Sequence, residues 1–230
     1  MKIYGLQKMT LLDFPGRIAC TVFLGGCDMR CPFCHNSELA EGKAEPVMTA
    51  EDLTAFLRKR KGLLEGVAVT GGEPLLREES LDLLRMIRDL EFPVKLDTNG
   101  THPGRLRRAV EEGLVQYVAM DLKNRPERYA ETVGMAGFDL SPVRESAAFL
   151  MEGKTEYEFR TTVVREFHDE NSFRAMGDWI HGAGKYFLQP FVDRDTVPQR
   201  GLTAPDREEL QAWAEIMRNH VQEVAVRGEN

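Results

Sequence analysis

The sequence predicts an α/β fold, a partial (β/α)6 barrel, on three observations. Short β-type runs alternate with helical stretches six times along 230 residues, the pattern of a parallel sheet with crossover helices. No repeat, low-complexity tract or Pro/Ser-rich linker interrupts that alternation, so residues 1–230 read as a single domain. Six units are too few to close the eight-fold ring of a full barrel, which leaves an open one.

Taken in order, the first strand candidate is 18–24, ending in Gly25-Gly26, and the others are 66–70, 94–97, 117–121, 157–164 and 186–191. A further short run at 221–226 edges the sheet. Helices are expected near 50–60, 79–90, 104–112, 142–151, 171–182 and 205–219. Thr49 suits an N-cap, with Glu51 and Asp52 in the first turn at the positive end of the helix dipole. Leu81, Leu83, Leu84, Ile87 and Leu90 give the second helix an apolar stripe. The basic run Arg58-Lys59-Arg60-Lys61 falls at a helix end, where cations suit the dipole; it reads as a solvated face, with a docking patch for an acidic electron donor as the alternative.

Composition narrows the function classes. With 42% hydrophobic and 29% charged residues the chain has an ordinary globular make-up, and a domain this size buries roughly 70–75% of its unfolded surface. A net charge of −7 gives no support to nucleic-acid binding, which replaces phosphate counterions with Lys and Arg. No stretch reaches the roughly 20 apolar residues that span a bilayer, and no signal-peptide core follows Met1, so a cytoplasmic protein with no membrane partner is expected.

Three of the four cysteines crowd into eight residues: Cys27, Cys31 and Cys34, spaced C-x3-C-x2-C. In a chain without a signal such crowding points to metal rather than disulfides. Three thiolates ligate three irons of a [4Fe–4S] cluster and leave the fourth iron open, a site that the amino and carboxylate groups of S-adenosylmethionine (SAM) are able to chelate. One electron then breaks a carbon–sulfur bond to give methionine and a 5′-deoxyadenosyl radical that abstracts hydrogen. The competing reading is a non-catalytic zinc-binding module with His35 or Cys20 as fourth ligand. His35 adjoins Cys34, which makes joint ligation awkward, and there is no second ligand pair downstream. Cys20 itself reads as a small buried strand residue.

Later strands end in polar clusters. Thr70-Gly71-Gly72-Glu73-Pro74 is either a plain strand-to-helix turn or a backbone stripped of side chains so that a ligand comes close. Asp97-Thr98-Asn99-Gly100 closes the third strand as an Asx turn or as barrel-mouth chemistry. Asp121 and Lys123, two apart, share a face, as a salt bridge or as ligand contacts. Glu158, Arg160 and Thr162 share another, where Arg160 pairs either with the SAM carboxylate or with Glu158. His168 reads as a solvent-facing loop histidine, and Gln189 as a candidate inward contact.

Over nearly its whole length the chain resembles the radical SAM superfamily, and within it the glycyl-radical-enzyme activases, most of all the activating proteins of anaerobic ribonucleoside-triphosphate reductase. Cys34-His35-Asn36 and Asp13-Phe14-Pro15-Gly16 carry the narrower likeness. The resemblance implies that Gly71, Gly72 and Glu73 grip the SAM methionyl amine, and that Asp121, Lys123 and Arg160 position SAM, with Phe33 in the same cofactor-binding set. It further implies that Asp97 and Thr98 hold a monovalent cation near the SAM carboxylate, and that Asp13 contacts a substrate loop. The implied substrate is a glycine of a glycyl-radical enzyme, whose Cα hydrogen is taken. The electron comes from flavodoxin or ferredoxin, since no cysteines remain for a second cluster. A small-molecule substrate is the alternative that shares the cysteines and the Gly-Gly-Glu segment.

Overall fold

The structure, a computed structural model, describes residues 1–228; Glu229 and Asn230, the end of the expected 1–230 domain, lie outside the described residues. Along the chain run β1 (Lys2–Ile3), β2 (Gly5–Thr10), β3 (Ala19–Leu24), α1 (Ser37–Ala40), β4 (Met48–Thr49), α2 (Ala50–Lys59), β5 (Gly66–Gly71), α3 (Glu79–Asp89), β6 (Val94–Thr98), α4 (Pro103–Glu111), β7 (Tyr117–Asp121), α5 (Pro126–Thr132), α6 (Ser141–Met151), β8 (Glu156–Val163), α7 (Glu170–Trp179), β9 (Lys185–Pro190), α8 (Arg207–Arg218) and β10 (Glu223–Val226).

Eight strands make one sheet in the order β10-β9-β8-β7-β6-β5-β3-β2. Every neighbouring pair is parallel except β2 with β3, a hairpin-like antiparallel edge. β2 and β10 do not pair with each other among the described residues, so the barrel stays open, as its six βα units imply. The edge strand β2 escapes sequence reading because Gln7, Lys8 and Met9 are exposed and give no apolar alternation.

Strand alternation sorts the side chains. Val22, Val67, Val69, Leu96, Phe159 and Leu188 point outward and pack under helix residues such as Leu53, Leu57, Leu84, Ile87 and Phe173, forming the main core. Each such buried aliphatic or aromatic side chain contributes about 1.5–3 kcal/mol. The inward positions are polar, among them Asp97, Asp121, Arg160, Thr162 and Gln189 at the upper end. The upper interior is therefore a lined cavity, and a small apolar cluster of Phe14, Ala19 and Tyr117 closes the lower end. Thr49 caps α2 with a reciprocal pair of bonds: Thr49 Oγ1 accepts from Asp52 N at 3.3 Å, and Asp52 Oδ2 accepts from Thr49 N at 3.0 Å.

Candidate active site

Cysteines 27, 31 and 34 lie in the loop after β3, over the C-terminal ends of the parallel strands. Neighbouring elements brace this loop. Gly26 N donates to Leu39 O at 2.8 Å and Arg30 N to Val133 O at 2.9 Å, while the Arg30 guanidinium folds back onto the Cys27 and Met29 carbonyls at 2.7 Å each. Asn36 Nδ2 reaches Gly71 O at 3.0 Å, which ties the motif to the end of β5. The three thiols line a cavity of about 210 Å³ together with Phe33, Gly71, Gly72, Asp97, Thr98, Asp121, Lys123, Arg160 and Gln189.

The donor set suits an iron–sulfur cluster. Burial pushes the Cys27 thiol up to about 12 and the Cys31 thiol up to about 11, and raises Cys34 as well. Thiolates there need positive charge beside them, which ligated iron supplies and which the Lys123 ammonium already supplies in part to Cys31 and Cys34. A zinc knuckle needs a fourth donor beside the three thiols. His35 sends Nε2 to Val192 O at 2.6 Å and stacks on Phe191, and Cys20 is fully buried among the apolar residues outside the barrel.

Gly71 and Gly72 are required by a close backbone approach. Gly71 has φ +131, and a Cβ there would stand 2.1 Å from Leu24 O; a Cβ on Gly72 would stand 2.0 Å from Gly26 O. The missing side chains let β5 seat the cysteine loop, while both residues still line the cavity. The Glu73 side chain is turned to the strand ends. It is buried, does not line the cavity, and accepts bonds from Leu75 N (2.9 Å), Thr98 Oγ1 (2.8 Å) and Asn99 N (2.7 Å). Burial pushes its carboxyl up to about 7. In this arrangement Glu73 bolts the end of β5 to the end of β6.

Asp97, Asp121, Lys123 and Arg160 converge on one cavity wall. Arg160 bridges two strands, with Nε on Asp121 Oδ1 at 2.5 Å and a terminal nitrogen 3.3 Å from Asp97 Oδ2. Lys123 Nζ holds Asp121 Oδ2 at 2.7 Å, and Lys95 Nζ holds Asp97 Oδ1. Burial opposes ionisation of both carboxyls, but Arg160 with Lys95 and Arg160 with Lys123 hold Asp97 and Asp121 below the usual range. Of the two readings of Arg160, pairing with Glu158 is corrected: Glu158 lies lower on β8 and takes Arg227 in a bidentate pair at 2.7 Å.

This wall does not fit the implied monovalent cation. Both Asp97 oxygens and both Asp121 oxygens already face fixed cations. Thr98 Oγ1 turns away to Glu73 and to Gly100 N at 3.1 Å, because alternation sets it on the face opposite Asp97. Asp13, implied as a substrate contact, lies away from the cysteines. β2 runs antiparallel to β3, so their connection falls at the barrel end opposite the cysteine loop. There Phe14 packs on Ala19 and Tyr117, and Asp13 Oδ2 accepts from Thr21 Oγ1 at 2.5 Å.

Near the cavity, Asp28 and His102 carry no sequence signal. Asn99 Nδ2 donates to Asp28 Oδ1 at 2.9 Å and approaches Cys27 Sγ at 3.7 Å. His102 Nε2 stands 3.2 Å from Asp28 Oδ2 on the far side. His168 is buried, contrary to its reading as a loop histidine: Nδ1 accepts from Val164 N at 3.1 Å and Nε2 donates to Lys123 O at 2.8 Å, fixing the peptide that carries Lys123. Burial lowers its pKa. Phe33 packs against Phe167 with ring centroids 5.7 Å apart, and Gln189 faces the cavity as alternation predicts.

Comparison with known proteins agrees with this geometry. The profile of the radical SAM superfamily matches residues 21–171. A Methanocaldococcus jannaschii protein inferred to be a glycyl-radical enzyme activating enzyme is 28% identical over 235 residues, covering 98% of this chain and 95% of that protein. The pyruvate formate-lyase-activating enzyme of Clostridium pasteurianum is 30% identical over 146 residues, which is 60% of each chain. Among solved structures, Streptococcus suis SuiB bound to S-adenosylmethionine superposes on 90% of this chain and 52% of its own with a TM-score of 0.69 at 14% identity, a likeness of fold.

Proposed function

The chain belongs to the radical SAM superfamily, and we propose that it takes a hydrogen atom from a glycine of a partner protein, acting as a glycyl-radical-enzyme activating enzyme. The observation that carries this reading is the wall beside the cysteines. Asp121 and Lys123, the pair that resembles the activases, meet there at 2.7 Å and line the same cavity as Cys27, Cys31 and Cys34. The relative inferred to be an activating enzyme, matching 98% of the chain, supports the same conclusion.

When bound, the [4Fe–4S] cluster and SAM supply one electron and a radical able to take hydrogen. Cys27, Cys31 and Cys34 hold the cluster. Lys123 and Arg160 face the SAM carboxylate with charge, since an Arg or Lys beside a carboxylate makes the stronger, charge-assisted hydrogen bonds. Asp121 aims both cations by accepting from each. Gly71 and Gly72 leave backbone exposed on the cavity, and Phe33 closes its apolar side. The unclosed barrel gives an extended substrate loop a way in. The finer reading takes anaerobic ribonucleoside-triphosphate reductase as the partner, on Cys34-His35-Asn36, with reduced flavodoxin or ferredoxin as electron donor because Cys20 is unsuited to a second cluster.

The test is anaerobic: the reconstituted, reduced protein is given SAM and, in parallel, ribonucleoside-triphosphate reductase or pyruvate formate-lyase. Expected are 5′-deoxyadenosine and a glycyl radical, seen by electron paramagnetic resonance on the reductase, both absent with Cys31→Ala. A radical on the lyase alone overturns the finer reading. 5′-Deoxyadenosine with no protein radical overturns the glycine reading, and zinc in place of iron overturns the enzyme.

A further inference from the structure

Lys95 is an inward-facing lysine, two residues below Asp97 on β6, with its side chain 3% exposed. Taking an ammonium out of water costs several kcal/mol unless a partner compensates, and its partner is one oxygen of Asp97. Asp97 in turn faces Arg160, Arg160 faces Asp121, and Asp121 faces Lys123. The row contains three cations and two carboxylates, so this wall carries one surplus positive charge beside the cavity. Without Lys95 the same row would balance to zero. A carboxylate ligand would then need a positive charge brought from solution, which is the part that a monovalent metal ion between Asp97 and Thr98 would play. Each side-chain oxygen of Asp97 and Asp121 already faces a fixed cation, and Thr98 Oγ1 is turned to Glu73 and Gly100 N. Its entry would displace the Lys95 ammonium from Asp97 and leave a buried charge unpaired.

We propose that Lys95 is a built-in substitute for the monovalent cation: a positioning residue whose ammonium, acting through Asp97, gives the SAM-binding wall its surplus charge and frees SAM binding from dependence on sodium or potassium. Lys95 does not line the cavity, so it sets the charge and orientation of Asp97 and Arg160 and leaves contact with SAM to Arg160 and Lys123. The proposal deepens the reading that SAM binds in this cavity and rests on it.

The experiment uses the cluster-loaded protein under anaerobic conditions. The SAM dissociation constant is measured from the SAM-induced change in the electron paramagnetic resonance signal of the reduced cluster, in KCl, NaCl and tetramethylammonium chloride at equal ionic strength. For the unaltered protein the constants should agree within about twofold, because an ion that carries no differential interaction with the site shifts nothing. Lys95→Met should weaken SAM binding by about tenfold or more in tetramethylammonium, with potassium recovering part of the loss, a response that a merely structural lysine does not produce. A tenfold or larger gain from potassium or sodium in the unaltered protein would overturn the proposal. So would a folded Lys95→Met protein with unchanged affinity. If the variant does not fold, the salt series on the unaltered protein decides. Absence of SAM binding in every salt defeats the underlying reading of the cavity and this proposal with it.

Discussion

The two ends of the barrel interior both contain buried charge, and they use it in opposite ways. At the floor Glu158 is completely buried and is closed off by Arg227 through two bonds of 2.7 Å and by the Tyr117 hydroxyl at 2.6 Å. That pair sums to zero, and Phe14, Ala19 and Tyr117 seal the space beneath. Burial and the Glu158 carboxylate push the Tyr117 phenol up, so it stays a donor. Toward the mouth five charges alternate, rising from Lys95, which is in register with Tyr117, to Lys123, with one positive charge left over, and a cavity opens beside the upper ones. A closed pair holds elements together, and an unbalanced row prepares a place for a ligand. Buried ion pairs are weak contributors to stability once desolvation is counted, so the surplus at the mouth is better explained by binding than by folding.

Breaking the bridge at the mouth should have the largest effect. Arg160→Met removes one charge-assisted partner from each of Asp97 and Asp121 and, at about 1.5–3 kcal/mol for each such bond, is expected to cost about 3–5 kcal/mol in urea unfolding, together with loss of SAM binding. A variant of unchanged stability that still binds SAM would show that the row is not the organised wall described. At the floor, Glu158→Gln is expected to cost less, about 1–3 kcal/mol, since Arg227 is 32% exposed and water replaces part of the lost partner. 5′-Deoxyadenosine formation should remain within about twofold of the unaltered protein; a collapse of that rate in a stable variant would erase the distinction between the two ends.

The smallest effect is pH dependence at His168, which anchors Lys123. Its folded pKa is lowered from 6.5, chiefly by burial, so the unfolded chain binds the proton more readily. Its contribution to stability is complete above pH 6.5 and is lost as pH falls from there through the folded pKa, with a slope of at most about 1.4 kcal/mol per pH unit. Unfolding midpoints from pH 5 to 7.5 should show this fall, and His168→Gln should flatten it. An unaltered slope in the variant would assign the dependence to other groups.

The legible features were those written locally. The six strand–helix units appear within a few residues of their expected places, from 66–70 against Gly66–Gly71 to 186–191 against Lys185–Pro190. The cap at Thr49 follows from three adjacent residues. The cysteine spacing needs no partner to be read, nor does the parity of Asp121 with Lys123. α5 and β2 were illegible because one is a helix of only seven residues and the other an exposed edge without apolar alternation. His168 looked like a loop residue because nothing in its neighbours records that Val164 and the Lys123 carbonyl close over it.

By itself the sequence determined the strand series, the three cysteines and which strand positions share a face, because spacing along one chain fixes all of these. Only the tertiary structure decided that Arg160 pairs with Asp121 and Asp97 while Glu158 pairs with Arg227, that Glu73 is a bolt between strand ends, that Asp13 lies at the far end of the barrel, and that Lys95 stands on Asp97. The Arg160, Glu158 and Glu73 outcomes depend on strand order and register, which bring together residues from 25 to 69 positions apart. Lys95 and Asp97, by contrast, share a face of one strand and needed the structure only to show that they pair. Electrostatic partners are chosen by distance in space, and no periodicity in the chain encodes that distance.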